Sequence, residues 1–257
     1  MENACQFSIV LPVYKPKGRW MEMFVQNLNE LKNYFPNDIS FKYIVVHDGP
    51  ADASMISAFE VLSESFKNIS FTSYPVNRGK GYALRQGIKM ANTPYILTTD
   101  FDFPYRKENL TEVISFLKKG HDVVVGKRSK EYLRHLPLKR KIIFKIGILL
   151  NQIFLGLPVP DTQSGIKGFN TKGKHVFMQT TIDRFLIDTE FVLRSYREKL
   201  SIKVIDVEVK PETEFSNFGF TVLKTELRNF LDLISLNRKL KSANITQNRI
   251  PAIHTTK

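Results

Sequence analysis

Along the first half of the chain, short apolar runs alternate with stretches whose apolar residues recur every three or four positions. The runs cover residues 7–13, 41–46, 69–74, 95–99 and 122–126. They are brief, rich in β-branched and aromatic residues, and bounded by turn formers, so they read as buried strands. Between them, Trp20, Phe24, Leu28 and Leu31 fall at helical spacing. So do Ile56, Phe59 and Phe66, residues 81–90, and Leu110, Ile114 and Leu117. Strands alternating with helices predict an α/β fold, a mostly parallel sheet flanked by helices on both faces. Sheets of this kind bind ligands outside the carboxyl ends of their strands.

The second half is less regular. Residues 127–145 hold eight Lys or Arg and a single acid, Glu131. A helix over 142–157 would place Ile142, Ile146, Leu149, Leu150, Ile153 and Leu157 on one face and Lys141, Lys145 and Gln152 on the other. Such a face suits either a membrane surface or a core helix with a solvated basic side. Residues 188–200 read as a helix and 202–209 as a strand. Leu223, Leu227, Phe230, Leu231 and Ile234 form a second stripe, read as core or partner packing. The expected division is an α/β domain over 1–210, a helical extension over 211–241 and a polar, flexible tail over 242–257.

Composition narrows the partners. The 257 residues are 42% hydrophobic and carry a formal net charge of +13, which points to an anionic partner. No nucleic-acid recognition motif accompanies the charge, so nucleic acid is not expected. Cys5 is the single cysteine, which excludes an intrachain disulfide and a cysteine-ligated zinc cluster and suits a reducing compartment. No stretch supplies the roughly 20 apolar residues of a membrane span, and no signal peptide is evident. The expected location is cytoplasmic, peripheral on the cytoplasmic face of a membrane.

The chemistry concentrates where an apolar run ends in two carboxylates, Tyr95-Ile96-Leu97-Thr98-Thr99-Asp100-Phe101-Asp102. A divalent cation that bridges phosphates takes one or two carboxylates plus substrate oxygens, so the pair suggests a metal–diphosphate site. Three further segments sit at strand ends in the same order: Leu11-Pro12-Val13-Tyr14, His47-Asp48-Gly49, and Asn77-Arg78-Gly79-Lys80-Gly81.

This series resembles the inverting family 2 glycosyltransferases of the GT-A fold, over roughly residues 7 to 210. Within them the chain looks most like the polyprenyl-phosphate (dolichyl-phosphate) glycosyltransferases. The narrower match rests on the Arg78-Gly79-Lys80 segment, on Val124-Val125-Gly126-Lys127-Arg128-Ser129, and on the run from Leu155 through Asp161-Thr162-Gln163-Ser164-Gly165 to Phe169. The resemblance implies an enzyme that moves a hexose from a nucleotide sugar, of UDP-glucose or GDP-mannose type, to a polyprenyl phosphate with inversion. Asp102 would ligate Mg²⁺ or Mn²⁺, with Asp100 assisting or contacting the ribose. Pro12, Tyr14 and Asp48 would frame the nucleoside, and Arg78 and Lys80, at a helix N-terminus, would attract the diphosphate. Arg128, with Arg134 or Arg140, would hold the acceptor phosphate, while Asp161 and Ser164 shape its loop. His47 stands where an aspartate is more usual, and Pro104 where relatives often have a polar residue.

A phosphate acceptor is already an anion and needs no strong base. A glycan hydroxyl, as in capsule or O-antigen assembly, would need one, and Asp188 or Glu190 would be the candidates. Their alternative role is capping the N-terminus of their own helix. A nucleotidyltransferase would be expected to carry a Gly-rich basic loop after the first strand, of which Tyr14-Lys15-Pro16-Lys17-Gly18-Arg19 is a poor version.

Overall fold

The computed structural model describes residues 6–16, 18–35, 39–129, 131–132, 138–159, 161–210 and 220–247. The five apolar runs form the strands β1 (Phe7–Val13), β2 (Phe41–His47), β3 (Ile69–Ser73), β4 (Tyr95–Thr98) and β5 (Val123–Arg128). Between them lie α1 (Trp20–Tyr34), α2 (Ala53–Ser65), α3 (Lys80–Met90) and α4 (Lys107–Lys118). Two elements had no counterpart in the apolar pattern: β6 (Lys167–Phe169) and α6 (Thr171–Met178). The rest are α5 (Leu138–Leu150) with a π-helical turn (Asn151–Leu155), α7 (Ile187–Arg197), β7 (Ile202–Val207) and α8 (Phe220–Gln247).

The seven strands lie in the order β3-β2-β1-β4-β6-β5-β7. All neighbours are parallel except β6, which runs antiparallel to both β4 and β5. Chain order reverses beside β1, which lies between β2 and β4, so a crevice opens between the carboxyl ends of β1 and β4. Both faces of the sheet are covered. One buries Phe24, Leu28 and Phe59 beneath α1 and α2, the other Leu84, Ile88, Phe177 and Phe191 beneath α3, α6 and α7.

Aromatic packing fixes the turn after β4. Phe101 stacks on Phe24 at 4.7 Å and leans on Trp20 at 5.9 Å. Anchoring the residue between the two aspartates leaves Asp100 and Asp102 at the mouth of the crevice. Phe103, buried, takes a left-handed φ of 48° and returns its N–H to the Asp100 carbonyl at 3.0 Å.

Three expectations change. The helix expected over 142–157 begins earlier and ends sooner: the π-helical turn shifts the register and Gly156, at φ 61°, stops it, so Leu155 and Leu157 are buried. Ile142, Ile146, Leu149 and Ile153 nevertheless stay outside with Leu138, all 50–73% exposed. The second stripe divides: Phe230 and Ile234 pack against the core while Leu227 and Leu231 are exposed, and the helix buries Leu233, which was not in the stripe. Finally, α8 continues to Gln247, past the expected start of the tail. Residues 211–219 and 248–257 lie outside the described residues, as does Arg134.

Helix α3 lies against the sheet because Gly87 faces Val10, Val46 and Ile44 without a side chain. Gly87→Val would force this interface apart and is expected to cost about 1–3 kcal/mol, read as a lowered urea midpoint with an unchanged m-value.

Candidate active site

The carboxyl ends of β1, β2, β4 and β5 deliver Tyr14, Asp48, Asp100 and Arg128 to one edge of the sheet. The sequence-expected residues sort there into three groups.

The first lines a cavity of about 230 Å³ beside the β4 turn, where Pro12 and Tyr14 meet Trp20, Phe101 and Asp102. Tyr14 is half-exposed and its ring lies 6.2 Å from that of His47.

The second group centres on Asp48, which is buried and saturated. Its carboxylate accepts from Tyr74 Oη at 2.7 Å, Asn77 Nδ2 at 2.8 Å, and the backbone N–H groups of Arg78 and Gly79 at 2.8 Å each. Asp48 thus pins the turn that leads into α3. Gly79 serves that turn with a φ of 114°, which a side chain would strain. The N-terminus of α3 is filled as well: the Asp183 carbonyl accepts from Gly81 N at 2.7 Å and Tyr82 N at 3.2 Å. Arg78 pairs with the Asp183 carboxylate at 3.0 Å and lies over the Tyr82 ring at 3.8 Å. Two backbone donors of this helix end are thus engaged within the chain, and Lys80 is the group of this segment that reaches the Asp100 carboxylate.

The third group is a row of alternating charges. Lys80 Nζ lies 2.9 Å from Asp100 Oδ1 and 3.4 Å from Asp188 Oδ2. Asp188 is gripped from behind by Lys167 Nζ at 2.7 Å. Lys167 is inaccessible to water and also donates to the Ser164 carbonyl. Burial works against both ammonium groups. At Lys80 the two carboxylates overcome it and hold the proton more tightly than usual, whereas at Lys167 burial prevails and its affinity falls. Burial would raise the Asp100 carboxyl, but Lys80, with Lys167 and Arg128 behind it, holds it below the usual range. Asp102 goes the other way, raised by partial withdrawal from water and then by Asp100. Among the described residues no side chain pairs with Asp102.

Tyr105, Lys167 and Asp183 belong to this site and were missed in the sequence. Tyr105 Oη receives the Gly165 N–H at 2.8 Å and bonds Ser164 Oγ at 3.1 Å, and burial followed by Asp100 pushes its phenol up to about 12. A Cβ on Gly165 would strike the Asp100 carboxylate, so the loop lies directly against Asp100. Ser164 is fully buried. Asp161 holds Arg128 in a fork, Nε at 2.7 Å and Nη2 at 2.9 Å, with the guanidinium 4.5 Å over the Phe144 ring. Arg140 lies in α5, and its side chain is outside the described residues. Glu190 is fully buried and caps a neighbouring loop instead of its own helix. It accepts from Thr181 N at 2.9 Å, Ile182 N at 2.8 Å and Arg194 Nε at 2.9 Å.

A divalent cation fits this arrangement. An unpaired carboxylate whose ionised form is disfavoured beside a second carboxylate is relieved by a cation. Among the described residues no three His, Cys, Asp or Glu gather, so substrate oxygens would complete the sphere.

The profile of the family described as "Glycosyl transferase family 2" matches residues 8–177. The chain belongs to that family. It is 28% identical over 211 residues to dolichyl-phosphate beta-glucosyltransferase ALG5A of Trichomonas vaginalis, covering 78% of this chain and 64% of that protein. It is 27% identical over 215 residues to dolichyl-phosphate beta-glucosyltransferase of Dictyostelium discoideum, covering 79% and 65%. The chain thus spans just under two thirds of the length of these curated relatives. Its fold matches that of Mycobacterium tuberculosis glucosyl-3-phosphoglycerate synthase with a TM-score of 0.62 at 14% identity, over 91% of this chain and 81% of that one. That synthase has also been crystallised with Mn²⁺, UDP and phosphoglyceric acid, a match at a TM-score of 0.60 and 13% identity, over 91% of this chain and 78% of that one.

The Arg128–Asp161 fork gives a pH test. Burial raises the Asp161 carboxyl, but its pairing with Arg128 outweighs this and lowers it from 3.8. A carboxyl lowered in the folded state stabilises above its unfolded value and loses that contribution as pH falls through its folded one. Asp161→Asn is therefore expected to be less stable than the native chain at pH 7, with the gap closing below 3.8. Denaturant titrations across pH measure it.

Proposed function

We propose that the protein is a hexosyltransferase that moves glucose from UDP-glucose to a polyprenyl phosphate, inverting the anomeric carbon. The family and its dolichyl-phosphate glucosyltransferase relatives support sugar transfer to a lipid phosphate, and fold neighbours crystallised with UDP and Mg²⁺ or Mn²⁺ support a uridine diphosphate donor with such a cation.

The observation that carries the acceptor is the state of the two candidate bases. Asp188 is buried with an ammonium group against each oxygen, and Glu190 is closed off by its backbone and arginine donors, so neither is presented to an incoming hydroxyl. A lipid phosphate brings its own anionic oxygen, so the reaction needs no proton removed. The acceptor oxygen attacks the anomeric carbon from the face opposite the diphosphate, and the sugar–phosphate bond breaks as the new bond forms.

In this reading Pro12 and Tyr14 border the nucleoside, and Asp48 acts through the turn it pins. Asp102, with Asp100, holds the cation, which supplies Lewis-acid relief of charge on the departing diphosphate. Lys80 adds a fixed positive charge at the same place. Arg128, preset by Asp161, faces the acceptor phosphate with the edge the fork leaves over.

The exposed stripe of α5 suits a bilayer surface. Its apolar residues are half-exposed or more, and Lys141 and Lys145 flank them as expected for an anionic leaflet. The ring of Phe154 meets Phe230 edge-on at 6.2 Å, so the stripe continues toward Leu227 and Leu231 on α8. No helix of the described residues is long and apolar enough to cross a membrane. We place the protein on the cytoplasmic leaflet, whose negative charge suits a chain with a net charge of +13.

A panel of radiolabelled nucleotide sugars, offered with Mg²⁺ or Mn²⁺ and undecaprenyl or dolichyl phosphate in detergent, tests the reading. Label from UDP-glucose is expected in the organic phase, reduced on the order of a hundredfold by Asp102→Ala. Donor hydrolysis without transfer to either lipid would remove the proposed acceptor.

A further inference from the structure

Helix α5 does not end in ordinary α-geometry. Its last turn is π-helical, a form that occurs mostly as single turns and often at functional sites. Here the turn sends Asn151 inward while Leu149 and Ile153 stay in solvent. Asn151 is 6% exposed, and its Nδ2 donates to Thr162 Oγ1 at 3.2 Å. Thr162 Oγ1 lies 2.7 Å from Thr189 Oγ1, and both threonines are buried. Thr162 follows Asp161, which sets Arg128, and Thr189 follows Asp188, which meets Lys80.

Two further contacts bind the same helix to its surroundings. Phe144 of α5 lies beneath the Arg128 guanidinium. The Leu155 carbonyl, closing the π-helical turn, accepts from Arg197 Nη2 at 2.6 Å and Asn237 Nδ2 at 3.2 Å. One helix thus turns an apolar stripe outward and a buried polar chain toward the acceptor side of the site. Apolar packing tolerates sliding, but a buried amide must keep its partner or lose its desolvation cost uncompensated. The chain therefore defines one position of α5 relative to the loop.

We propose that Asn151 is a positioning residue for the acceptor: through Thr162 and Thr189 it fixes the 161–165 loop to α5, so that the surface on which α5 rests sets where the lipid phosphate meets Arg128. Asn151 touches no substrate. The inference rests on the lipid-phosphate reading above.

The test uses Asn151→Ala, Thr189→Val and the double variant, with UDP-glucose, Mg²⁺ and undecaprenyl phosphate in vesicles of phosphatidylcholine and phosphatidylglycerol. Each single variant is expected to raise the acceptor KM roughly five- to tenfold, the effect of one lost net hydrogen bond, with the donor KM held within about twofold. The double variant is expected to be no worse than the more affected single one, because the chain is already broken. Equal rises in both KM values, additive penalties, or an unchanged acceptor KM would each overturn the proposal. Thermal unfolding is followed in parallel, and if Asn151→Ala does not fold, Thr189→Val alone decides through the same comparison of KM values. Native protein that transfers nothing to undecaprenyl phosphate would refute the lipid reading itself. Native transfer with an unchanged acceptor KM in the variants would refute only the role of Asn151.

Discussion

The site is organised around the Lys80 ammonium, which lies between the carboxylates of Asp100 and Asp188. Three separate pieces of chain meet there: the first turn of α3, the end of β4 and the start of α7. Lys80 is largely withdrawn from water and is held by both carboxylates, so each piece constrains the other two. Lys167 extends the row inward, and Gly165 brings the 161–165 loop against Asp100. The two sides of the crevice are therefore held together by charge, and the aromatic anchor at Phe101 keeps the β4 turn where that charge can act.

The same row bears on the chemistry. A carboxylate can serve as a general base only when it has a lone pair to offer and room for the proton-bearing group. Asp188 is buried between two lysines, and Glu190 is filled by the 181–182 backbone and Arg194. What remains in the crevice, among the described residues, is Asp102, an acid without a side-chain partner that a divalent cation would neutralise, beside the paired Lys80 and Arg128. That is an environment for bringing anionic groups together, and a reaction between a phosphate oxygen and a sugar diphosphate is one that asks for little else.

Much of the fold was legible because strands β1 to β5 are continuous apolar runs separated by helices of clear period. The carboxyl-end placement of Asp48, Asp100 and Arg128 followed from that alternation. What stayed hidden depends on contacts distant in sequence. Strand β6 has three residues and begins with a lysine, so no apolar run marks it; Lys167 is buried only because Asp188 lies opposite. The Asp48 carboxylate was read as facing the nucleoside, but its donors come from Tyr74 and the 77–79 turn, a partnership no local pattern announces. The π-helical turn at Asn151 was invisible for a related reason. A helical period predicts continuation, and the register shift that buries Leu155 and Leu157 breaks it without a proline.

The most direct measurement of the central claim is a competition between two acceptors that differ only in the phosphate. Purified protein would receive radiolabelled UDP-glucose and Mg²⁺ with equal amounts of a polyprenyl phosphate and the corresponding polyprenol. Label is expected on the phosphate lipid and none on the alcohol, because Asp188 and Glu190 are engaged within the protein and Asp102 would be taken up by the cation. Label on the polyprenol at a comparable rate would contradict it.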